Sequence, residues 1–286
     1  MSGEDKELKV SFFYKKEYSC PSCGELFHKE EMLSGGGRLI AGALTQELHR
    51  LYEPSARYGD VYPLAYTALV CPECWFASME ADFSLLPENS ILRVQDDKDR
   101  RIADALKIFP GIDFSRSRGL MEGAASQYLT LRCYDFFPKH ISPTIKQGLA
   151  SLRAAWLLDE LNKVHPGQHY DWLATVHRKK AEYFYNEALE REQKQSENMS
   201  GLKIFGPDID KNYSYEGMLY ICAYLRYKFG ASQESGERKT SLEVARRTIA
   251  KLFGMGKSSR DKPEAFLDLA RKVYDAINKE LDEGGA

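Results

Sequence analysis

The sequence predicts an α+β fold, mostly α: a small cysteine-centred module over residues 1–95, followed by an antiparallel helical domain over residues 96–286. Three observations predict it. Two CPxC motifs, Cys20-Pro21-Ser22-Cys23 and Cys71-Pro72-Glu73-Cys74, each follow an aromatic and β-branched run. Beyond about residue 100 the apolar residues recur at helical spacing. Between the two parts, residues 87–97 are polar and charged, which reads as a domain boundary.

The elements follow in order. Residues 9–18 (KVSFFYKKEY) read as a strand that feeds the first CPxC motif, and residues 27–33 lead out of it. Ser34-Gly35-Gly36-Gly37 is a turn. It lacks the Gly-Lys-Ser/Thr ending of a phosphate loop. Over residues 38–52, Leu39, Ala43, Leu44, Leu48 and Leu51 recur at helical spacing, so a helix is expected between the motifs. Residues 54–60 are a loop, and residues 62–70 (YPLAYTALV) read as the second strand. The aromatic stretch 75–83 should pack beneath the cysteines, with Asp82 capping a turn or facing solvent.

Helices are then expected over residues 100–109, 119–137, 144–164, 170–195, 213–229, 240–253 and 263–281. Pro110-Gly111, Pro138, Pro166-Gly167 and Gly230 punctuate them. Ala181, Tyr185 and Ala188 show the small–large–small spacing of a tetratricopeptide (TPR) helix. Ala245, Ile249 and Leu252 follow it loosely, and no constant period is kept. The helical domain is therefore read as TPR-like, with an ordinary antiparallel bundle as the alternative.

The cysteines carry the most specific chemistry. Two residues between cysteines let both sulfurs reach one ion from a tight turn, and two such turns supply the four thiolates of a tetrahedral site. Proline after the first cysteine presets that turn. Cys20, Cys23, Cys71 and Cys74 are thus the expected ligands of a structural Zn2+, in a zinc-ribbon-like module. Gly24 suits a position with φ > 0, whereas Trp75 at the matching place makes the second knuckle less regular. A thioredoxin-like redox use would need a βαβ context. His28, five residues after Cys23, is read as a bystander.

A CPxCG knuckle, a long spacer, a strand ending in VCPxC, then aromatic-Ala and Asp-Phe, followed by TPR-like helices, resembles the bacterial domain of unknown function 2225. The carrying residues are Cys20, Pro21, Cys23, Gly24, Val70, Cys71, Pro72, Cys74, Phe76, Ala77, Asp82 and Phe83. Ala155-Trp156 and residues 224–230 add helical echoes. The resemblance implies a zinc-ribbon-like module joined to a helical repeat module, and implies no activity.

Other features weigh on function. A net charge of −2 argues against a general nucleic-acid binder. The charged start over residues 1–9 lacks the apolar core of a secretory signal, and no run approaches a membrane span. With the CxxC pairs, this places the chain in a reducing cytoplasm. Gly254-Met255-Gly256-Lys257-Ser258 ends like a P-loop, but Lys251 stands where the leading glycine belongs. His165 and His169 flank Pro166-Gly167 and read as surface histidines. No nucleophile or acid–base pair stands out. The leading reading is a non-catalytic adaptor with a protein or peptide partner on helices rich in tyrosine: Tyr183, Tyr185, Tyr213, Tyr215, Tyr220, Tyr224 and Tyr227. The alternatives are a zinc-ribbon nucleic-acid binder using Arg238, Lys239, Arg246, Arg247, Lys251, Lys257 and Arg260, and an enzyme of unrecognised class.

Overall fold

A computed structural model describes residues 9–199, 202, 205–232, 236–254 and 264–283. Among them, all strands precede residue 80 and form three separate antiparallel pairs. β1 (Ser11–Ser19) pairs with β2 (Leu26–Met32), with Ser19 opposite Leu26 and a bulge between Phe13 and Glu17. β3 (Ile40–Leu44) pairs with β4 (Arg50–Glu53). β5 (Ala68–Val70) pairs with β6 (Ala77–Met79), with Val70 opposite Ala77. The first and third hairpins turn through the two CPxC motifs.

Two expectations are corrected here. The helix expected over residues 38–52 is the β3–β4 hairpin. Its leucines do not form a stripe. The Thr45 hydroxyl instead accepts the N–H groups of Glu47 and His49, at 3.2 and 3.1 Å, and closes the hairpin tip. Leu48 takes φ 57° in that tip and is fully buried against Gly217, far along the chain. The strand expected over residues 62–70 is confined to β5, because Pro63 opens a 3-10 turn, Pro63–Tyr66, before it.

The helices are α1 (Glu88–Asp96), α2 (Lys98–Ile108), α3 (Leu120–Cys133), α4 (Pro143–Val164), α5 (Tyr170–Gln193), α6 (Ser214–Phe229), α7 (Arg238–Gly254) and α8 (Glu264–Glu283). From α3 onward each packs on the next. The polar segment read as the domain boundary contains α1. It buries Ser90 and Val94 and keeps its charges outside, so a helical face was hidden inside a polar composition. Every residue from Pro143 to Leu158 in α4 is buried, which marks α4 as the axis of the molecule. Gly148 lets α5 approach, since a Cβ there would meet the Tyr185 ring at 2.8 Å. The buried side chains form one continuous cluster from Cys20 to Ile277.

The hairpin tip is riveted into the helices. Buried Glu47 accepts the Trp156 indole N–H at 2.5 Å and two Arg178 contacts at 2.7 and 3.1 Å. The Tyr220 hydroxyl donates to the Gln46 carbonyl at 2.8 Å. Asp82, expected to cap or face solvent, is buried, accepts from the Tyr134 hydroxyl at 2.6 Å and pairs with Lys146 at 2.6 Å. No helix among the described residues is long and apolar enough to cross a membrane.

Candidate metal centre

Each CPxC motif closes its hairpin through the same two backbone bonds. The Cys20 N–H donates to Glu25 O at 2.8 Å, and the Gly24 N–H to Cys20 O at 2.9 Å. In the second motif the Cys71 N–H donates to Phe76 O at 2.9 Å, and the Trp75 N–H to Cys71 O at 3.0 Å. Gly24 has φ 81° and Trp75 φ 56°. The second knuckle therefore follows the same path as the first, and the expected irregularity at Trp75 is not found. A left-handed conformation costs a non-glycine residue roughly 1–2 kcal/mol. The buried indole, 5.4 Å from Phe114 in an edge-to-face contact, holds Trp75 there.

The knuckles face each other. Cys20 Sγ lies 3.6 Å from Cys74 Sγ, and Cys23 Sγ 3.6 Å from Cys71 Sγ. All four Sγ atoms fall within 4.8 Å of one another. Both of these contacts run across the motifs. Sulfurs placed tetrahedrally at 2.3 Å from an ion would be about 3.8 Å apart. The four side chains expected from sequence are brought together and could hold a metal ion.

Electrostatics point the same way. Hydrogen bonds with Cys20 and Cys74, followed by burial, push the Cys71 thiol well above its ordinary value. The contacts of Cys74 with Cys20 and Cys71 pull its thiol downward. Thiols must lose their protons to bind a metal, so a divalent cation at this site would displace them.

A second layer comes from α1, α2 and α3. The fully buried Arg101 donates from Nη2 to the Cys74 carbonyl at 2.7 Å. Its Nη1 reaches Val94 O at 3.1 Å and Asp97 Oδ2 at 3.0 Å. Gln95 Nε2 donates to Ser22 O at 2.5 Å, and the Ala77 N–H to Cys133 Sγ at 3.4 Å. Four thiolates around a divalent ion leave the centre net negative, and the Arg101 guanidinium is a buried positive charge beside it. Sequence reasoning missed Arg101 and Gln95, because nothing local marks an arginine of α2 as a partner of a knuckle carbonyl.

The remaining candidates lie elsewhere. His28 is exposed on β2, opposite Glu17 of β1. His165 and His169 are exposed between α4 and α5. Among the described residues no other cluster of three or more metal-ligating side chains occurs. Residues 255–258 of the P-loop-like tail, and Lys257 and Arg260 of the basic stretch, lie outside the described residues. Arg238 is tied to Glu280 at 2.8 Å and to the Tyr227 carbonyl at 2.9 Å.

Of the tyrosines expected along a groove, Tyr185, Tyr213, Tyr220 and Tyr224 are core residues. Tyr183 is 56% exposed, on a face of α5 that also carries Trp172, Val176, Lys179 and Lys180. Val176, Lys179, Lys180 and Tyr183 border a hollow against α3. Neither lysine has an ion pair among the described residues.

The chain was compared with known proteins. A family model described as "Uncharacterized protein conserved in bacteria (DUF2225)" matches residues 13–277. An uncharacterized protein from Borreliella burgdorferi is 38% identical over 273 residues, covering 96% of this chain and 98% of that protein. No solved structure matches. With the model spanning both knuckles and every helix through most of α8, the chain belongs to the DUF2225 family of bacterial proteins.

Proposed function

We propose that the chain is a non-catalytic cytoplasmic adaptor, in which a structural Zn2+ on Cys20, Cys23, Cys71 and Cys74 organises residues 1–95 and a TPR-like helical surface in residues 96–286 holds a protein partner. Zinc suits an all-sulfur donor set in two hairpin turns, and a four-coordinate sulfur shell leaves no open position for a reacting water. The ion's part is then to hold two distant hairpins together.

One observation carries the partner reading: the stripe of Trp172, Val176, Lys179, Lys180 and Tyr183 along α5. Aromatic residues beside unpaired lysines favour a peptide that sets aspartate or glutamate next to an apolar residue. Selection from a displayed random-peptide library on the zinc-loaded chain tests it. Acidic–apolar sequences should be enriched and then lost with the K179E/K180E double variant. Enrichment that ignores the double variant would refute the assignment to α5.

A further inference from the structure

The four sulfurs of the metal centre are not equally enclosed. Cys20, Cys71 and Cys74 are buried, with 2%, 0% and 2% of their surface exposed, whereas Cys23 is exposed. Cys133 and Cys222, the cysteines outside the centre, are fully buried. Cys23 is thus the one thiol of the chain that a dissolved reagent reaches. Its place in the fold gives the reason. It ends the turn between β1 and β2 and is followed by the exposed Gly24 and Glu25. The second hairpin instead packs on α3, and both of its sulfurs are enclosed.

A second observation gives the exposed sulfur a partner. Cys23 Sγ is in contact with Cys71 Sγ at 3.6 Å, while Cys20 Sγ has its contact with Cys74 Sγ at 3.6 Å. An accessible thiolate poised next to a resolving cysteine is the arrangement of thiols that react with peroxides. A cysteine that binds a metal is a thiolate by necessity, so Cys23 needs no neighbouring base to become a nucleophile.

We propose that Cys23 is an oxidation site for hydroperoxides, with Cys71 as its resolving partner; the proposal rests on the Zn2+ reading above for what is released. The Cys23 thiolate attacks the peroxide. An S–O bond forms, the O–O bond breaks, and hydroxide or alkoxide departs. The Cys71 thiolate then attacks the sulfenic sulfur of Cys23. An S–S bond forms, the S–O bond breaks, and hydroxide departs. Two solvent protons neutralise the leaving groups. The peroxide gains two electrons, and the two sulfurs together lose two. Cys20 and Cys74 remain as ligands, short of the four that a structural zinc site uses. The disulfide joins the β1–β2 hairpin to the β5–β6 hairpin, so it replaces the ion as their tie. Oxidation therefore frees zinc without parting the hairpins, and thiol exchange with a reductant reverses it.

The test uses the unaltered full chain, so no substitution can unfold it. Metal content is measured first and decides the zinc reading by itself. The chain is then exposed to rising amounts of hydrogen peroxide, and remaining thiols are blocked with iodoacetamide. Disulfides are located by fragmenting the linked peptides in a mass spectrometer, and released zinc is measured after gel filtration. In a parallel sample dimedone traps sulfenic acid. Dimedone should label Cys23 about tenfold more than any other cysteine. The first disulfide should join Cys23 to Cys71, with one zinc lost per disulfide formed. Circular dichroism should then keep the hairpin signal that chelation of the reduced chain removes. A first disulfide within either motif or between Cys20 and Cys74, dimedone on another cysteine, zinc retained by the disulfide-bearing chain, or a signal loss equal to that on chelation would overturn the proposal. For a chain purified without zinc, the same thiol map still decides the order of the sulfurs, so failure of the zinc reading and failure of the oxidation site are told apart.

Discussion

Replacing Glu47 by alanine should cost about 3 kcal/mol of stability, and the figure follows from its partners. Glu47 is buried and accepts from the Trp156 indole and twice from Arg178. Breaking a buried ion pair costs about 3–5 kcal/mol when the surviving charge is left alone. Here it is not, because Arg178 also holds Asp159 at 2.5 and 3.2 Å. What is lost is the two-bond contact with Arg178, counted as one charge-assisted interaction of roughly 1.5–3 kcal/mol, plus a buried indole N–H left without an acceptor, roughly 1–3 kcal/mol. The sum, trimmed for local relaxation, centres near 3 kcal/mol, which lowers the thermal midpoint by about 6 °C for a chain of this length. Glu47→Gln keeps an acceptor for the indole and should cost about half as much. The assay is thermal unfolding followed by circular dichroism, with the Trp156 Nε1–H signal as the local reporter. A midpoint within about 1 °C of the parent for Glu47→Ala would refute the assignment of Glu47 as the rivet between hairpin and helices.

Other outcomes follow from the same geometry. The purified chain should carry one metal ion, and chelation or Cys71→Ser should melt the two knuckle hairpins, because a site of this kind contributes on the order of 10–16 kcal/mol; metal analysis with circular dichroism checks this, and a folded, metal-free preparation would sink the zinc assignment. Trp75→Gly relieves roughly 1–2 kcal/mol of backbone strain but removes a buried indole worth about 3–5 kcal/mol, so denaturant unfolding should show a net loss near 2–3 kcal/mol. Burial, with a contribution from Lys180, lowers the His177 pKa from 6.5 to about 3. The unfolded chain therefore binds that proton first: this contribution is intact above pH 6.5 and falls by up to about 1.4 kcal/mol per unit as pH drops toward 3. His177 Nδ1 has no hydrogen-bond partner, so His177→Phe should flatten that stretch of the stability–pH curve at little cost at pH 7, and an unchanged curve would contradict it.

What the sequence disclosed tracks how local each signal is. The cysteines were legible because two-residue spacing and a following turn are local chemistry, and the structure gathers the same four. The long helices were legible because their period repeats over many turns. The β3–β4 hairpin was not. Its leucines happen to fall at helical intervals, and apart from Thr45 at its tip, the contacts that hold it come from the distant Trp156, Arg178, Asp208 and Tyr220. Helix α1 was hidden for the converse reason: a polar composition masked Val94 and Ser90, which are buried in the folded chain. Arg101 read as one more charge in a charged helix, and only the fold puts its guanidinium against Cys74 O. Of the seven tyrosines, some expected to line a groove and others to pack between helices, Tyr185, Tyr213, Tyr220 and Tyr224 pack in the core, and the Tyr185 hydroxyl has no hydrogen-bond partner among the described residues.

The riveted hairpin also sets an order of events during synthesis. Gln46 waits for Tyr220, 174 residues later, and His49 waits for Asp208, 159 residues later. At about 5–20 residues per second, the ribosome leaves Gln46 and His49 without these two partners for roughly 8–35 s, although Trp156 and Arg178 reach Glu47 sooner. Through that interval Leu48, fully enclosed in the finished molecule, lacks its neighbour Gly217 of α6. A nascent or truncated chain that stops before α6 therefore leaves Leu48 without the α6 surface beside Gly217 that covers it in the folded molecule.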